Sequence, residues 1–140
     1  MVFKFFSILL LSITLINCND KADIEGTKKM KTVDYVDLKR YMGDWYVIAN
    51  IPTFIEKNAT NAIESYKLSS DGTINTTFSF SKGSPEGEKK IYHPKGFVFN
   101  KETNAEWRMQ FLWPFKMPFL IIQLDEDYSY TVIGYPSKKY

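Results

Sequence analysis

The sequence of 140 residues contains a single cysteine, Cys18, and a single histidine, His93. Zinc and copper sites are usually built from several Cys and His ligands, so these counts argue against such a metal centre. They also exclude a disulfide within the chain. A Gly-x-Ser-x-Gly nucleophile motif and a phosphate-binding glycine loop are both missing, which disfavours the enzyme classes that need them. We therefore predict no metal site, no cofactor and no catalysis.

An excess of charge of either sign is also missing, since the formal net charge is +2. Proteins that bind nucleic acid normally carry a strongly basic face, so nucleic acid is not an expected partner. Hydrophobic residues make up 44% and aromatic residues 16% of the chain. This composition and length predict one globular domain with an aromatic-rich core.

A hydrophobic run long enough to span a membrane is missing as well. The near-apolar run from Phe5 to Ile16 has twelve residues, whereas a spanning helix needs about 20. We interpret residues 1–17 as a signal peptide. The end of this run, Leu-Ile-Asn-Cys, resembles a bacterial lipobox whose cysteine, here Cys18, is lipidated. Asn19 rather than Asp follows that cysteine, and this favours the outer membrane.

Residues 18–32 then form the lipidated cysteine and a flexible tether, because they are polar and show no apolar period. The alternative is an ordinary signal peptide, an accidental cysteine and an N-terminal tail without a role.

Seven segments have the pattern of short strands. The clearest is Thr73–Ser81, in which Ile74, Thr76, Phe78 and Phe80 share one face. Short strands with short connections predict an all-β antiparallel fold, either a sandwich or an up-and-down barrel. A helical spacing over Val33–Met42 predicts one or two helical turns before the first strand. The other predicted strands are Asp44–Ile51, Ala59–Leu68, Glu88–Phe99 with a break near Pro94, Ala105–Trp113, Phe119–Leu124 and Tyr128–Gly134.

Two short motifs identify the fold more closely. Gly43-Asp44-Trp45 stands where the predicted helical turn meets the first strand, and Asp127-Tyr128 stands between the last two strands. Together these motifs resemble those of the lipocalin family. The resemblance implies that Gly43 turns the backbone tightly into the strand and that Trp45 closes one end of a barrel.

Two longer segments resemble the branch of that family that includes bacterial outer-membrane lipoproteins and apolipoprotein D. They are residues 51–58, a loop after the first strand, and residues 111–115, an aromatic segment with Pro-Phe. The resemblance covers residues 33–140 and implies an antiparallel up-and-down lipocalin β-barrel. Nothing corresponds to the family's eighth strand, its Arg motif or its C-terminal helix. We therefore expect a C-terminally truncated domain with seven strands, whose open edge strands promote self-association.

The inward-facing apolar positions are candidate ligand contacts. In the family they line an open cup, whereas the residues alone favour core packing. Apolar walls suit an acyl chain, because each buried methylene contributes about 0.8 kcal/mol. The resemblance implies binding, storage or transport of a fatty acid such as palmitate, or of a lysophospholipid, at the bacterial cell envelope. The candidate ligand residues are Phe78, Phe80, Trp107, Met109, Phe111, Ile121, Tyr130 and Val132.

Two questions stay open at this level. Arg108, Lys95 and Lys67 are candidate partners for a ligand carboxylate or phosphate, or else exposed charges on the strands. The alternative function is an envelope structural or interaction module with a filled barrel, and a lipocalin-type enzyme is the least favoured interpretation.

Overall fold

The computed structural model describes residues 30–53 and 55–136; the predicted signal peptide, Cys18 and most of the predicted tether lie outside this part. One short helix and eight strands form within it. Because that helix has four residues, the described ranges hold no helix long and apolar enough to cross a membrane. The elements are α1 (Leu38–Tyr41), β1 (Gly43–Tyr46), β2 (Ala59–Leu68), β3 (Thr73–Lys82), β4 (Lys89–Tyr92), β5 (Lys95–Asn100), β6 (Glu106–Leu112), β7 (Phe115–Leu124) and β8 (Thr131–Gly134).

The strands form one antiparallel sheet that curls into a half-barrel. Their order is β1-β2-β3-β5-β6-β7-β8, and β4 also pairs with β3. Within the described residues, β1 and β8 are therefore the two ends of this order, and β4 pairs with β3 alone, so one side of β4 is also an edge. The predicted all-β, antiparallel up-and-down architecture, preceded by a short helical turn, is confirmed.

The segment predicted as one strand, Glu88–Phe99, forms two strands, β4 and β5. The described part of the chain therefore has eight strands where the sequence predicted seven. The break falls at His93-Pro94, because proline has no N–H group to donate to the ladder. The Pro94 carbonyl accepts a 3.1 Å hydrogen bond from the Thr76 amide. On one side of this point β3 pairs with β4, and on the other side it pairs with β5.

The other strands differ from the predictions mainly at their ends. β2 spans the predicted residues 59–68, but β1 ends at Tyr46 rather than Ile51. β8 begins at Thr131 rather than Tyr128. Tyr128 has a φ of +59°, which is a turn conformation and does not fit an extended strand.

The short helix is capped and then leads sharply into β1. The Asp37 carboxylate accepts hydrogen bonds from the amides of Lys39 (2.9 Å) and Arg40 (3.3 Å), which satisfies free donors at the helix start. Gly43 follows with a φ of +119°, a backbone conformation that residues with a side chain rarely adopt. The Gly of the first motif therefore stands where the chain turns into the strand.

The turn that carries the second motif is held against α1. The Tyr128 hydroxyl accepts a 2.8 Å hydrogen bond from the Asp37 amide. The Arg40 guanidinium lies 4.1 Å from the centroid of the Tyr128 ring and donates a 2.8 Å hydrogen bond to the Glu126 carbonyl. The two motifs thus close the same end of the half-barrel, which we call the closed end.

An aromatic core fills the closed end. Trp107 is fully buried, stacks on Phe119 at 5.1 Å between ring centroids and donates a 2.7 Å hydrogen bond to the Asn104 carbonyl. Trp45 is half-buried; it stacks on Tyr41 at 4.8 Å and donates to the Tyr41 carbonyl at 2.9 Å. The buried core residues are Val36, Tyr41, Tyr66, Ile74, Ala105, Trp107, Met109, Phe119 and Ile121.

Candidate functional site

Side chains that alternate inward form the concave face of the half-barrel. One row crosses four strands, because Trp45 pairs with Glu64, Glu64 with Phe78, and Phe78 with Tyr92. The loop of residues 47–58, the β3–β4 hairpin and the β6–β7 hairpin lie at the end opposite the core, which we call the open end. The row therefore lies between the core and the open end.

Three aromatic rings form an apolar wall on this face. Phe78 and Phe80 are each 3% exposed, and their ring centroids are 5.3 Å apart. The Tyr92 ring stacks on both, at 6.4 Å from Phe78 and 6.1 Å from Phe80. Aromatic pairs at such separations add to the stabilisation from burial. We call these three rings the aromatic wall.

A cleft of about 450 Å³ lies beside the aromatic wall at the open end. This volume is within the range of small-molecule pockets. A 2.7 Å hydrogen bond from the Gly83 amide to the Asn58 carbonyl joins the loops on its two sides. The cleft combines apolar and cationic groups, and its lining residues are Ile55, Lys57, Asn58, Lys82 and Tyr92.

Three polar side chains, those of Glu64, Tyr66 and Thr76, lie where the wall meets the core. The Tyr66 hydroxyl donates a hydrogen bond to Glu64 Oε2. Burial raises the pKa of the Glu64 carboxyl, and the negative charge of Glu56 raises it further, against the lowering effect of the Tyr66 hydrogen bond. Burial also raises the pKa of Tyr66 well above its usual range. Thr76 pairs with Tyr66 across the strands and is 4% exposed, and its Oγ1 has no hydrogen-bond partner among the described residues.

The sequence can be placed among known proteins at this point. A family model described as a lipocalin-like domain matches residues 36–140. The chain belongs to the lipocalin-like family. It is 34% identical over 125 residues to temperature-induced lipocalin-1 of Arabidopsis thaliana, a match that covers 81% of this chain and 64% of the relative.

Two bacterial relatives share the name outer membrane lipoprotein Blc. This lipocalin is 28% identical to the Vibrio cholerae protein over 116 residues, which cover 81% of this chain and 66% of the relative. It is 29% identical to the Escherichia coli K12 protein over 110 residues, which cover 77% of this chain and 60% of the relative. The chain thus spans less than two thirds of the length of each of these three relatives.

Most of the predicted ligand residues of this lipocalin lie on the concave side, at different depths. Phe78 and Phe80 belong to the aromatic wall. Met109 is 3% exposed, and Trp107 and Ile121 are fully buried, so these three are part of the closed-end core. The Phe111 side chain is 38% exposed and lies beyond the register shift of β6, toward the open end. Phe78 and Phe80 are as deeply buried as Met109, but they are not part of that core cluster.

The other two predicted ligand residues are not on the concave face. Tyr130 lies in the turn before β8, where its hydroxyl accepts a 3.3 Å hydrogen bond from Gln123. Val132 is 42% exposed on the convex face, because its neighbour Ile133 packs against the core. The assignment of these two residues to the inward face was wrong, since β8 starts at Thr131 and its alternation turns Ile133 inward.

The three candidate rim cations also lie on the convex face. Arg108 stands 2.8 Å from Glu106 and 3.8 Å over the Phe99 ring, while its neighbours in β6 point into the core. Lys95 lies 3.5 Å from an Asp71 carboxylate oxygen, and Lys67 is exposed beside the convex side of β3. These lysines and Arg108 are strand charges and not ligand partners on the concave side.

Sequence reasoning missed the polar residues of the concave face and the cations of the cleft. Glu64 was detectable, because it stands two residues before Tyr66 in a strand and so shares its face. The cleft formed by Lys57 and Lys82 was not detectable from the sequence, since periodicity does not show how the loop of residues 47–58 folds back toward the β3–β4 hairpin. The described residues hold no group of three or more His, Cys, Asp or Glu that could hold a metal ion.

Proposed function

We propose that this lipocalin binds, stores or carries a small hydrophobic ligand, a fatty acid or lysophospholipid, on its concave face. The aromatic wall beside a cleft of ligand size is the observation that carries the proposal. The relatives' names, lipocalin and outer membrane lipoprotein, support a binding protein at an envelope rather than an enzyme.

The apolar part of the ligand would pack along the wall. Phe78 and Phe80 are almost fully shielded from water, and Tyr92 stacks on both, so an acyl chain would first meet this wall at Tyr92, which lines the cleft. Each methylene that leaves water there contributes about 0.8 kcal/mol. A medium-length chain therefore binds usefully even after the entropic cost of ordering it.

The anionic head of such a ligand would stay at the open end. Lys57 and Lys82 line the cleft there, whereas Arg108 and Lys95 face the other side of the sheet. Glu64, deeper on the concave face, would give a carboxylate that entered first no cationic partner. The charges thus favour entry with the apolar end first.

Attachment to the membrane is a second part of the proposal. Lipidation of Cys18 with several acyl chains would hold the protein at the bacterial outer membrane, since one chain gives only marginal binding. A Cys18→Ser variant should then leave the membrane fraction or accumulate as a precursor. A membrane fraction unchanged by this substitution would rule out the lipid anchor.

An interaction module is the competing function, and one observation favours it. Large apolar side chains are exposed at the open end, including Ile48 (95%), Ile51 (92%) and Trp113 (81%). These side chains would suit a protein partner as well as a lipid. In this alternative the closed-end core fills the barrel and no ligand is carried.

Extraction of the purified protein with organic solvent, followed by mass spectrometry, separates the two functions. We expect acyl lipid close to one molecule per chain. Titration with a fluorescent fatty acid adds a residue-level test: Phe80→Ala should weaken binding several-fold, while Ile91→Ala, on the convex side of the adjacent β4, should not. No lipid in repeated preparations, together with equal affinities of both variants, would favour the module.

A further inference from the structure

The polar residues of the concave face extend the proposed function, on which this inference rests. We propose that Glu64 and Thr76 form a recognition site for a hydroxyl group at the buried end of an acyl ligand. The protein would then select hydroxylated acyl chains over plain ones of the same length.

The first support is the unpartnered hydroxyl of Thr76. The side chain is 4% exposed and lies on the inward face of β3 between Ile74 and Phe78. Its Oγ1 has no hydrogen-bond partner among the described residues. A buried hydroxyl without a partner costs free energy, because its hydrogen bonds to water are lost and not replaced. A ligand group that donates or accepts a hydrogen bond at this point would remove that cost.

The second support is the Glu64 carboxyl, which lies diagonally opposite Thr76 in the register of β2 and β3. Such diagonal pairs are within reach of one small group placed between them. The Tyr66 hydroxyl occupies one position on Glu64 Oε2, and a carboxylate has about four acceptor positions. No salt bridge to Glu64 occurs in residues 30–53 and 55–136. The carboxyl therefore keeps capacity for a donor from a ligand.

The position of these groups fits the end of a chain rather than its middle. Tyr66 packs against Tyr41 and Trp107, at 5.7 and 5.6 Å between ring centroids, so the core closes the face just beyond the site. Phe78 is opposite Glu64 in the register of β2 and β3. Lys82 lies four residues further along β3, which is about 13 Å at the rise of a strand. A medium-length chain with its head at Lys82 reaches the site with its far end.

A hydroxyl fits these groups better than an ammonium ion does. The polar group in contact with Glu64 is the Tyr66 hydroxyl, and burial disfavours the charged form of Glu64, so the site offers little compensation for a desolvated cation. A hydroxyl both donates to the carboxyl and accepts from Thr76, and it can be buried at lower cost than a charge.

The test compares omega-hydroxydodecanoate with dodecanoate, each displacing a fluorescent fatty acid from the purified protein. The wild type should bind the hydroxy acid about tenfold more tightly, the effect of one good hydrogen bond. Thr76→Val and Glu64→Leu should each bring the ratio of the two dissociation constants close to one, because each removes a hydrogen-bond partner of the ligand hydroxyl. Thr77→Val, the neighbouring position on the convex side, is the matched control and should keep the wild-type ratio.

The outcomes separate this inference from the proposed function. Equal binding of both acids by the wild type, or a ratio that survives in both variants, overturns the hydroxyl site and leaves fatty-acid binding intact. Tighter binding of omega-aminododecanoate than of the hydroxy acid also overturns it. If neither acid displaces the probe and the probe itself does not bind, both proposals fail. Circular dichroism of each variant confirms folding, and the wild-type ratio decides the question even if a variant does not fold.

Discussion

The two tryptophans at the closed end differ in burial, and this difference predicts unequal contributions to stability. Trp107 is fully buried between Tyr41 and Phe119, whereas Trp45 is half-buried beside Tyr41. We expect Trp107→Ala to lower the free energy of unfolding by about 3–5 kcal/mol, the usual range for a buried Trp. Trp45→Ala should lower the free energy of unfolding by clearly less than Trp107→Ala does. Urea unfolding measures both, and an equal or larger cost for Trp45 would contradict the assignment of the core.

The raised pKa of Glu64 predicts that stability depends on pH with a defined sign. Its pKa in the folded state is raised from the ordinary value of 4.5. The folded protein therefore holds its proton to higher pH than the unfolded chain, and stability falls as pH rises above about 4.5. Thr73 and Ser129 hydroxyls lower the pKa values of Asp71 and Asp125, so the contributions of those groups are lost only below the ordinary value of 3.8.

The pH window above about 4.5 thus separates the titration of Glu64 from that of these aspartates, which lies below 3.8. Glu64→Gln should reduce the loss of stability across this window, because the amide does not titrate. Chemical denaturation of both proteins at several pH values measures it. A pH profile that is unchanged in Glu64→Gln would show that the fold does not raise the pKa of this carboxyl.

Single residues were predictable where a motif or a strand period fixed them. The lipocalin resemblance pointed to Gly43, and the backbone there has the positive φ that favours glycine. The alternation of β3 placed Phe78 and Phe80 inward. Val132 was misplaced because periodicity gives the face of a strand only when its first residue is known.

At the scale of elements, the contact between α1 and the β7–β8 turn closes one end of the molecule. Tyr128→Phe removes the hydroxyl that accepts from the Asp37 amide. We expect a loss of about 0.5–1.5 kcal/mol in the free energy of unfolding, the net worth of one hydrogen bond. Tyr130→Phe is the matched control, since its hydroxyl contacts an exposed Gln123 side chain, and it should change stability little. Equal effects of the two substitutions would show that the Asp37 contact does not stabilise the fold.

The elements themselves were largely predictable, because most of the strands alternate or are bounded by turn residues. β2 was found with its bounds, and β3 to within one residue. β7 starts four residues earlier than predicted, at Phe115, because the apolar residues Phe115 and Met117 pair with β6. Such pairing depends on the partner strand and leaves no period in the segment itself.

At the scale of the whole molecule, the sheet has unpaired strand edges in its described residues, at β1, at β8 and on one side of β4. Unpaired strand edges favour association with another chain. We expect this 140-residue chain to self-associate as its concentration rises. Val132→Lys, on the exposed side of β8, should reduce association, because a lysine on an edge strand opposes pairing. Asn75→Lys, on an interior strand, is the control. Light scattering over a concentration series measures the oligomeric state. A wild type that stays monomeric at every concentration would contradict this prediction.

The central claim is that the concave face, and not the convex face, receives the ligand. A fatty acid with a photoactivatable diazirine at its far end, cross-linked to the wild-type protein and mapped by mass spectrometry, tests this claim most directly. We expect the label on Phe78, Phe80 or residues beside them on the concave face, and competition by unlabelled fatty acid. Label confined to Phe97 and Phe99, two aromatic residues of the convex face, would contradict the account.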